Sequence, residues 1–282
     1  MSRPFILAIA LLSACTGRER DPAATEPKPV VESQPKAPEA PLVTVELGLV
    51  GDELREALAA RLGPDSPLVG AEALLAVHHR IAAPWHIYWK NPGDSGLRTR
   101  LSLELVGGES GPALYPGPNR FVAAGGQVSY GWERDAVLFV PLSQLGEDAR
   151  VELRSDWLAC HESCIPGHSK VEAVIASLER REDEITRAMI DRVPAPTGER
   201  LRASWSDRRL RVEPSDGGRV IEFFPYAHDQ ASLAASEQSD AVLELDYRLT
   251  GSPPAEQGQG VLTLELGGET HWLELAVPWP AT

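Results

Sequence analysis

The chain has 282 residues, a net charge of −14 at neutral pH and three cysteines. So acidic a surface argues against binding nucleic-acid backbones, which need a basic one. After the first dozen residues no apolar run approaches the ~18 residues that a membrane-spanning helix requires.

Arg3 gives the chain a positive start, and Phe5 to Leu12 is an apolar run too short to span a bilayer. Small residues follow, as at a secretory cleavage site. Leu12-Ser13-Ala14-Cys15 resembles the bacterial lipobox. That resemblance implies cleavage after residue 14 and a lipid on Cys15. Thr16 follows the cysteine, where inner-membrane lipoproteins of enterobacteria usually carry Asp, so the outer membrane is the expected anchor. Residues 15–41 carry Pro22, Pro27, Pro29, Pro35, Pro38 and Pro41 among Glu, Lys, Ala and Thr, with no apolar period. They read as an extended, disordered tether.

From Leu42 the pattern turns strand-like. Val43 to Leu49 and Leu101 to Leu105 alternate apolar and polar residues, and Val137 to Val140 is a continuous apolar run. Val151 to Leu153 and Val171 to Val174 are shorter candidates. Gly/Pro clusters such as Asn91-Pro92-Gly93-Asp94 separate them, and many short strands between turn signals predict a sandwich. Asp52 to Leu62 has helical spacing of Leu54, Leu58 and Leu62. Ser177 to Arg192 reads as a surface helix, and residues 193–198 as a linker. Strand signals resume at Leu201 and run through Val261 to Leu266 and Trp272 to Leu275. The expected organisation is an all-β chain: a signal segment at 1–14, the tether, a β-sandwich at 42–178, a short helix and linker at 179–198, and a second, smaller β domain at 199–282.

With Cys15 assigned to lipid, two cysteines remain in an oxidising compartment, Cys160 and Cys164. A spacing of four fits a disulfide on a helix or in a tight hairpin. The pair is open to three readings: a redox dithiol, a structural bridge, or soft-metal ligands together with His161 and His168. His161 beside Cys160 would favour its thiolate if protonated. The first two readings need no cofactor and no metal.

Pro84-Trp85-His86-Ile87-Tyr88-Trp89-Lys90-Asn91-Pro92-Gly93-Asp94-Ser95-Gly96-Leu97 resembles a signature of the DsbD N-terminal domain family, in its ScsB-like branch. Tyr115 to Phe121, Tyr130 to Glu133, Trp157 to Gly167 and Phe223 to Pro225 resemble further elements of the family in the same order. The resemblance implies an immunoglobulin-type β-sandwich and a periplasmic thiol–disulfide exchange module. In relatives, a membrane-embedded carrier and a thioredoxin-like domain deliver electrons. The substrates are exported proteins, among them disulfide isomerases, cytochrome c maturation factors and proteins linked to copper tolerance. Carried onto this chain, Cys160 and Cys164 form the redox pair, with Cys164 making mixed disulfides and Cys160 resolving them. Neither a membrane carrier nor a C-x-x-C thioredoxin domain occurs in these residues, so the expected reductant is a separate protein.

The family also implies a cap loop shielding the pair. It corresponds to about residues 121–129, with Phe121 or Tyr130 as the aromatic shield. Trp85, His86, Tyr88 and Trp89 are expected to pack the sandwich, with His86 hydrogen-bonded structure near the site. His78 and His79 are expected to alternate in and out of a strand. No phosphate-binding glycine loop, G-x-S-x-G element or H-E-x-x-H motif occurs. The competing functions are a scaffold lipoprotein with a structural bridge and a copper-handling module.

Overall fold

The computed structural model describes residues 41–215, 217–239, 242–251 and 258–280. The expected signal segment, the lipid site at Cys15 and the tether lie outside the described residues.

The alternating and apolar runs become strands β1 (Val43–Val50), β2 (Ala73–Ile81), β3 (His86–Gly93), β4 (Arg100–Val106), β5 (Glu109–Ser110), β6 (Asn119–Val122), β7 (Val128–Glu133), β8 (Asp135–Ser143), β9 (Arg150–Cys160), β10 (Cys164–Val174) and β11 (Arg180–Arg181). One sheet has the order β11-β1-β2-β8-β5. The other has the order β10-β9-β3-β7-β6, and β4 takes over from β3 as the neighbour of β9. Together they make the immunoglobulin-like sandwich. Its core contains Leu75, Val77, Ile87, Trp132, Leu138, Val151 and Leu153. A polar tie crosses it: His79 Nε2 of β2 lies 2.7 Å from Ser155 Oγ of β9, and both residues are fully buried. Burial holds the His79 imidazole neutral and pushes its pKa down to about 4.

Two helices cover the outer face of the first sheet. α1 (Asp52–Leu62) buries Leu58 and Leu62, as its leucine spacing predicts. α2 (Glu184–Asp191) buries Met189 and Ile190, and the Asp183 carboxylate caps it by accepting from the Thr186 N–H at 2.9 Å. This cover corrects the expectation for the paired histidines. Strand geometry does send them to opposite faces, but both faces are buried, and His78 reaches Asp135 at 2.7 Å instead of water. The helix is also shorter than expected. Arg180 and Arg181 pair as a strand with Leu49 and Val50, and the Arg181 guanidinium donates to Glu46 at 3.0 Å.

The remaining strands are β12 (Ala195–Pro196), β13 (Leu201–Ser206), β14 (Arg209–Pro214), β15 (Arg219–Pro225), β16 (Ala231–Gln238), β17 (Leu243–Leu249), β18 (Gly260–Leu266) and β19 (Glu269–Leu275). They form two four-stranded sheets, β12-β19-β18-β15 and β13-β14-β17-β16, around Leu210, Phe224, Leu245, Leu262 and Leu273. The stretch read as a linker is drawn into this structure: Val193 is buried, and Ala195–Pro196 pair with Leu273 and Glu274. An aromatic junction joins these sheets to the sandwich. Phe224 meets Trp89 and Tyr130 edge-on and stacks on Trp272. Gly117 allows that approach, because a Cβ there would sit 2.0 Å from the Trp272 ring.

Candidate functional site

β9 and β10 form a hairpin closed by His161, Glu162 and Ser163, and the His161 N–H donates to the Ser163 carbonyl at 3.1 Å. Its last cross-strand pair is Cys160 opposite Cys164, with Cα atoms 4.2 Å apart and the sulfurs bonded. That separation is near the ~4.5 Å of a non-hydrogen-bonded antiparallel pair, so the register alone brings the sulfurs together. Three pairs further along, Gly167 faces Trp157, where a Cβ would lie 2.6 Å from the indole nitrogen. The glycine of the Cys-Ile-Pro-Gly run thus makes room for the tryptophan of the Trp-Leu-Ala-Cys run.

The two cysteines differ in access. Cys160 is 2% exposed, whereas Cys164, on the edge strand of its sheet, is exposed. On the other side of β9, His86 of β3 is the register partner of Cys160. Side chains of paired residues share a face, so the imidazole flanks Cys160 opposite to the bridge. Phe121 of β6 stacks on that imidazole with centroids 4.7 Å apart, and Tyr88 meets it edge-on. His86 Nε2 is buried and has no hydrogen-bond partner among the described residues, unlike the hydrogen-bonded histidine expected. Burial lowers the His86 pKa; the Glu133 carboxylate opposes this and His161 adds to it. The imidazole beside Cys160 is therefore biased toward its neutral form.

The two aromatic candidates of the cap segment part company. Phe121 pairs with Ser129 and Arg120 with Tyr130, so Phe121 and Tyr130 point to opposite faces. Phe121 lies on the cysteine side, and Tyr130 packs on Phe224 at the junction. The loop between them is exposed from Val122 to Gln127, with Gly125 and Gly126 at positive φ. Asp94 fastens its base by accepting from the Val128 N–H at 2.7 Å. Exposed His161 approaches Trp85 edge-on. His168 is four residues along β10 from Cys164, opposite Asp156 and away from the pair. Among the described residues no group of three or more His, Cys, Asp or Glu converges to hold a metal.

The long aromatic motif divides its work along β3. Its first half serves the bridge. Its second half serves the junction: Trp89 is fully buried, the Lys90 ammonium lies 3.7 Å from the Tyr226 ring centroid, and Asn91 Nδ2 donates to the Pro225 carbonyl at 2.8 Å. Asn91-Pro92-Gly93 is thus at the far end of β3 from the cysteines. Burial lowers the Lys90 pKa to about 8, with Glu274 acting against the fall. Neither Glu133 beside His86 nor the Lys90–Tyr226 contact was foreseen from sequence. Only cross-strand register between distant segments reveals them.

A search of curated proteins gives no match. Among solved structures, the N-terminal periplasmic domain of ScsB from Proteus mirabilis aligns with a TM-score of 0.58 at 13% identity. The alignment covers 86% of this chain and 96% of that one, a likeness of fold. The family model for the N-terminal part of the thiol:disulfide interchange protein DsbD matches residues 62–176, a span that includes His86, Phe121 and both cysteines. Residues 62–176 of this chain are a domain of the DsbD N-terminal family.

Proposed function

We propose that the chain is a periplasmic thiol–disulfide exchange module working through Cys160 and Cys164. The asymmetry of the bridge carries this reading: one cysteine is exposed on an edge strand and its partner is buried beside a neutral imidazole. A reductant thiolate attacks Cys164 Sγ, the Cys160–Cys164 bond breaks, and Cys160 leaves as a thiolate that takes up a proton. A second reductant thiol resolves the mixed disulfide and frees Cys164. In the forward direction Cys164 attacks a substrate disulfide and releases one substrate thiol. Cys160, beside the neutral His86 imidazole, then attacks Cys164 Sγ, which re-forms the bridge; the second substrate sulfur leaves and takes up the proton that Cys160 gives up. Phe121 covers the His86 imidazole beside Cys160.

The reductant is a separate thioredoxin-like protein or membrane carrier, and the substrates are exported proteins. The compartment is supported by the periplasmic ScsB domain of like fold. A lipid on Cys15 holds the module at a membrane, the outer one by the residue that follows. The residue-15 thiol is silenced by C15S for the test. The reduction potential of the pair is read by thiol trapping across a dithiothreitol series, and C160S is used to capture a mixed disulfide on Cys164. A potential in the range of thioredoxin-like exchange proteins and capture by C160S but not by C164S are expected. A bridge reducible only after unfolding leaves a structural staple and removes this function.

A further inference from the structure

β3 leaves β9 after Ile87, and β4 joins it at Arg100, so Trp157 and Leu158 of β9 lack a strand on that side. A groove of about 660 Å³ opens at this gap. We propose that this groove docks an extended acidic segment of the polypeptide whose disulfide exchanges with Cys164; the inference rests on the exchange function proposed above.

The groove is continuous with the reactive cysteine. Cys164, Pro166 and His168 alternate onto one face of β10, and the last two line the groove. At ~3.3 Å per residue, this wall runs from Pro166, about 7 Å from Cys164, to His168, about 13 Å away. A partner chain bound to Cys164 and running alongside β10 therefore places the second to fourth residues after its own cysteine in the groove, positions three to five when the cysteine is position one.

The lining sets the charge of that segment. Arg98 and Arg100 converge there in a protein of net charge −14, and neither is in an ion pair with a carboxylate among the described residues; Lys90, the third cation of the lining, is held against the Tyr226 ring. The one carboxylate of the lining, Asp156, is already held by Arg154 through two hydrogen bonds. Arg100, Asp156 and His168 form a single row across β4, β9 and β10. Leu97, 63% exposed, supplies an apolar rim beside the cations. Unpaired cations on an otherwise acidic surface select for carboxylates and repel basic chains.

The test uses the full chain with C15S, reduced, and two synthetic peptides. Each carries one cysteine as a mixed disulfide with thionitrobenzoate; three glutamates follow at positions three to five in one, three lysines in the other. At low salt the glutamate peptide should react at least about tenfold faster, and the advantage should shrink in 0.5 M NaCl. In R98E/R100E the glutamate-to-lysine rate ratio should fall to one or below. Equal rates for the two peptides overturn the proposal, as does a preference that survives high salt or the double substitution. The two readings fail separately. Lack of reaction with hydroxyethyl disulfide in the unsubstituted protein sinks the exchange function alone. Anisotropy titration with a cysteine-free glutamate peptide still decides the groove, where salt-sensitive binding supports it and no binding refutes it.

Discussion

Opening the Cys160–Cys164 bridge should cost the fold little. The bridge joins residues four apart in sequence, so the ring it closes holds only five residues. On the chain-entropy model such a ring contributes about 2 kcal/mol, against about 4.7 kcal/mol for a 100-residue loop. Everything else that holds the hairpin survives reduction: the β9–β10 ladder, the pairing of β9 with β4 and the buried Val151, Leu153 and Trp157. With urea m-values of about 2–3 kcal/mol/M, the midpoint should drop by no more than about 1 M. The assay is urea unfolding followed by tryptophan fluorescence, with and without reductant, and with C160S/C164S as the permanently open form. A loss well above 4 kcal/mol, or cooperative unfolding on reduction alone, would refute the reasoning. By the same thermodynamic cycle the fold favours the bridge by only about 2 kcal/mol, which leaves it within reach of a dithiol reductant.

Acid should weaken the sandwich through His79. Its folded pKa of about 4 lies below the ordinary 6.5, so the unfolded chain binds a proton that the folded one refuses. Stability is full above pH 6.5 and falls toward pH 4, with about 2 kcal/mol gone by pH 5. In H79L/S155A, which removes both partners, this slope between pH 7 and 5 should vanish, and an unchanged slope would assign it elsewhere. F121A should uncover the His86 ring and speed reduction of the bridge by dithiothreitol at constant stability; an unaltered rate counts against shielding. G117A should cost about 1–3 kcal/mol, because its Cβ meets the Trp272 ring at 2.0 Å, and a neutral effect would mean that the junction yields.

Local chemistry was readable from sequence and lateral neighbours were not. Asp52–Leu62 follows its leucine spacing, and the strands at Leu101, Val137, Leu201 and Val261 lie where the patterns put them. Strand β16 escaped because Ala-Ser-Leu-Ala-Ala-Ser-Glu-Gln at a sheet edge buries almost nothing and needs no apolar alternation. His78 and His79 misled because alternation fixes a face, not what covers it. His86 belongs beside Cys160 only because β3 and β9 pair at that register, and no periodicity in either segment encodes the pairing. Phe121 and Tyr130 were indistinguishable as cap residues until the β6–β7 register sent them to opposite sides.

The aromatic junction dictates how the chain tolerates dissection. Truncation shortly after the family-matched span would strip Phe224 and Tyr226 from Trp89, and Phe224 from Tyr130. The Trp89 indole, now 0% exposed, would face water beside an orphaned Tyr130. Aromatic side chains of ~150–250 Å² each would then form an adhesive patch on β3, the strand that carries His86, and its neighbour β7. The smallest well-behaved fragment is therefore set by this patch rather than by the reach of sequence similarity. It extends to the strand bearing Trp272, or else carries polar replacements at both uncovered rings.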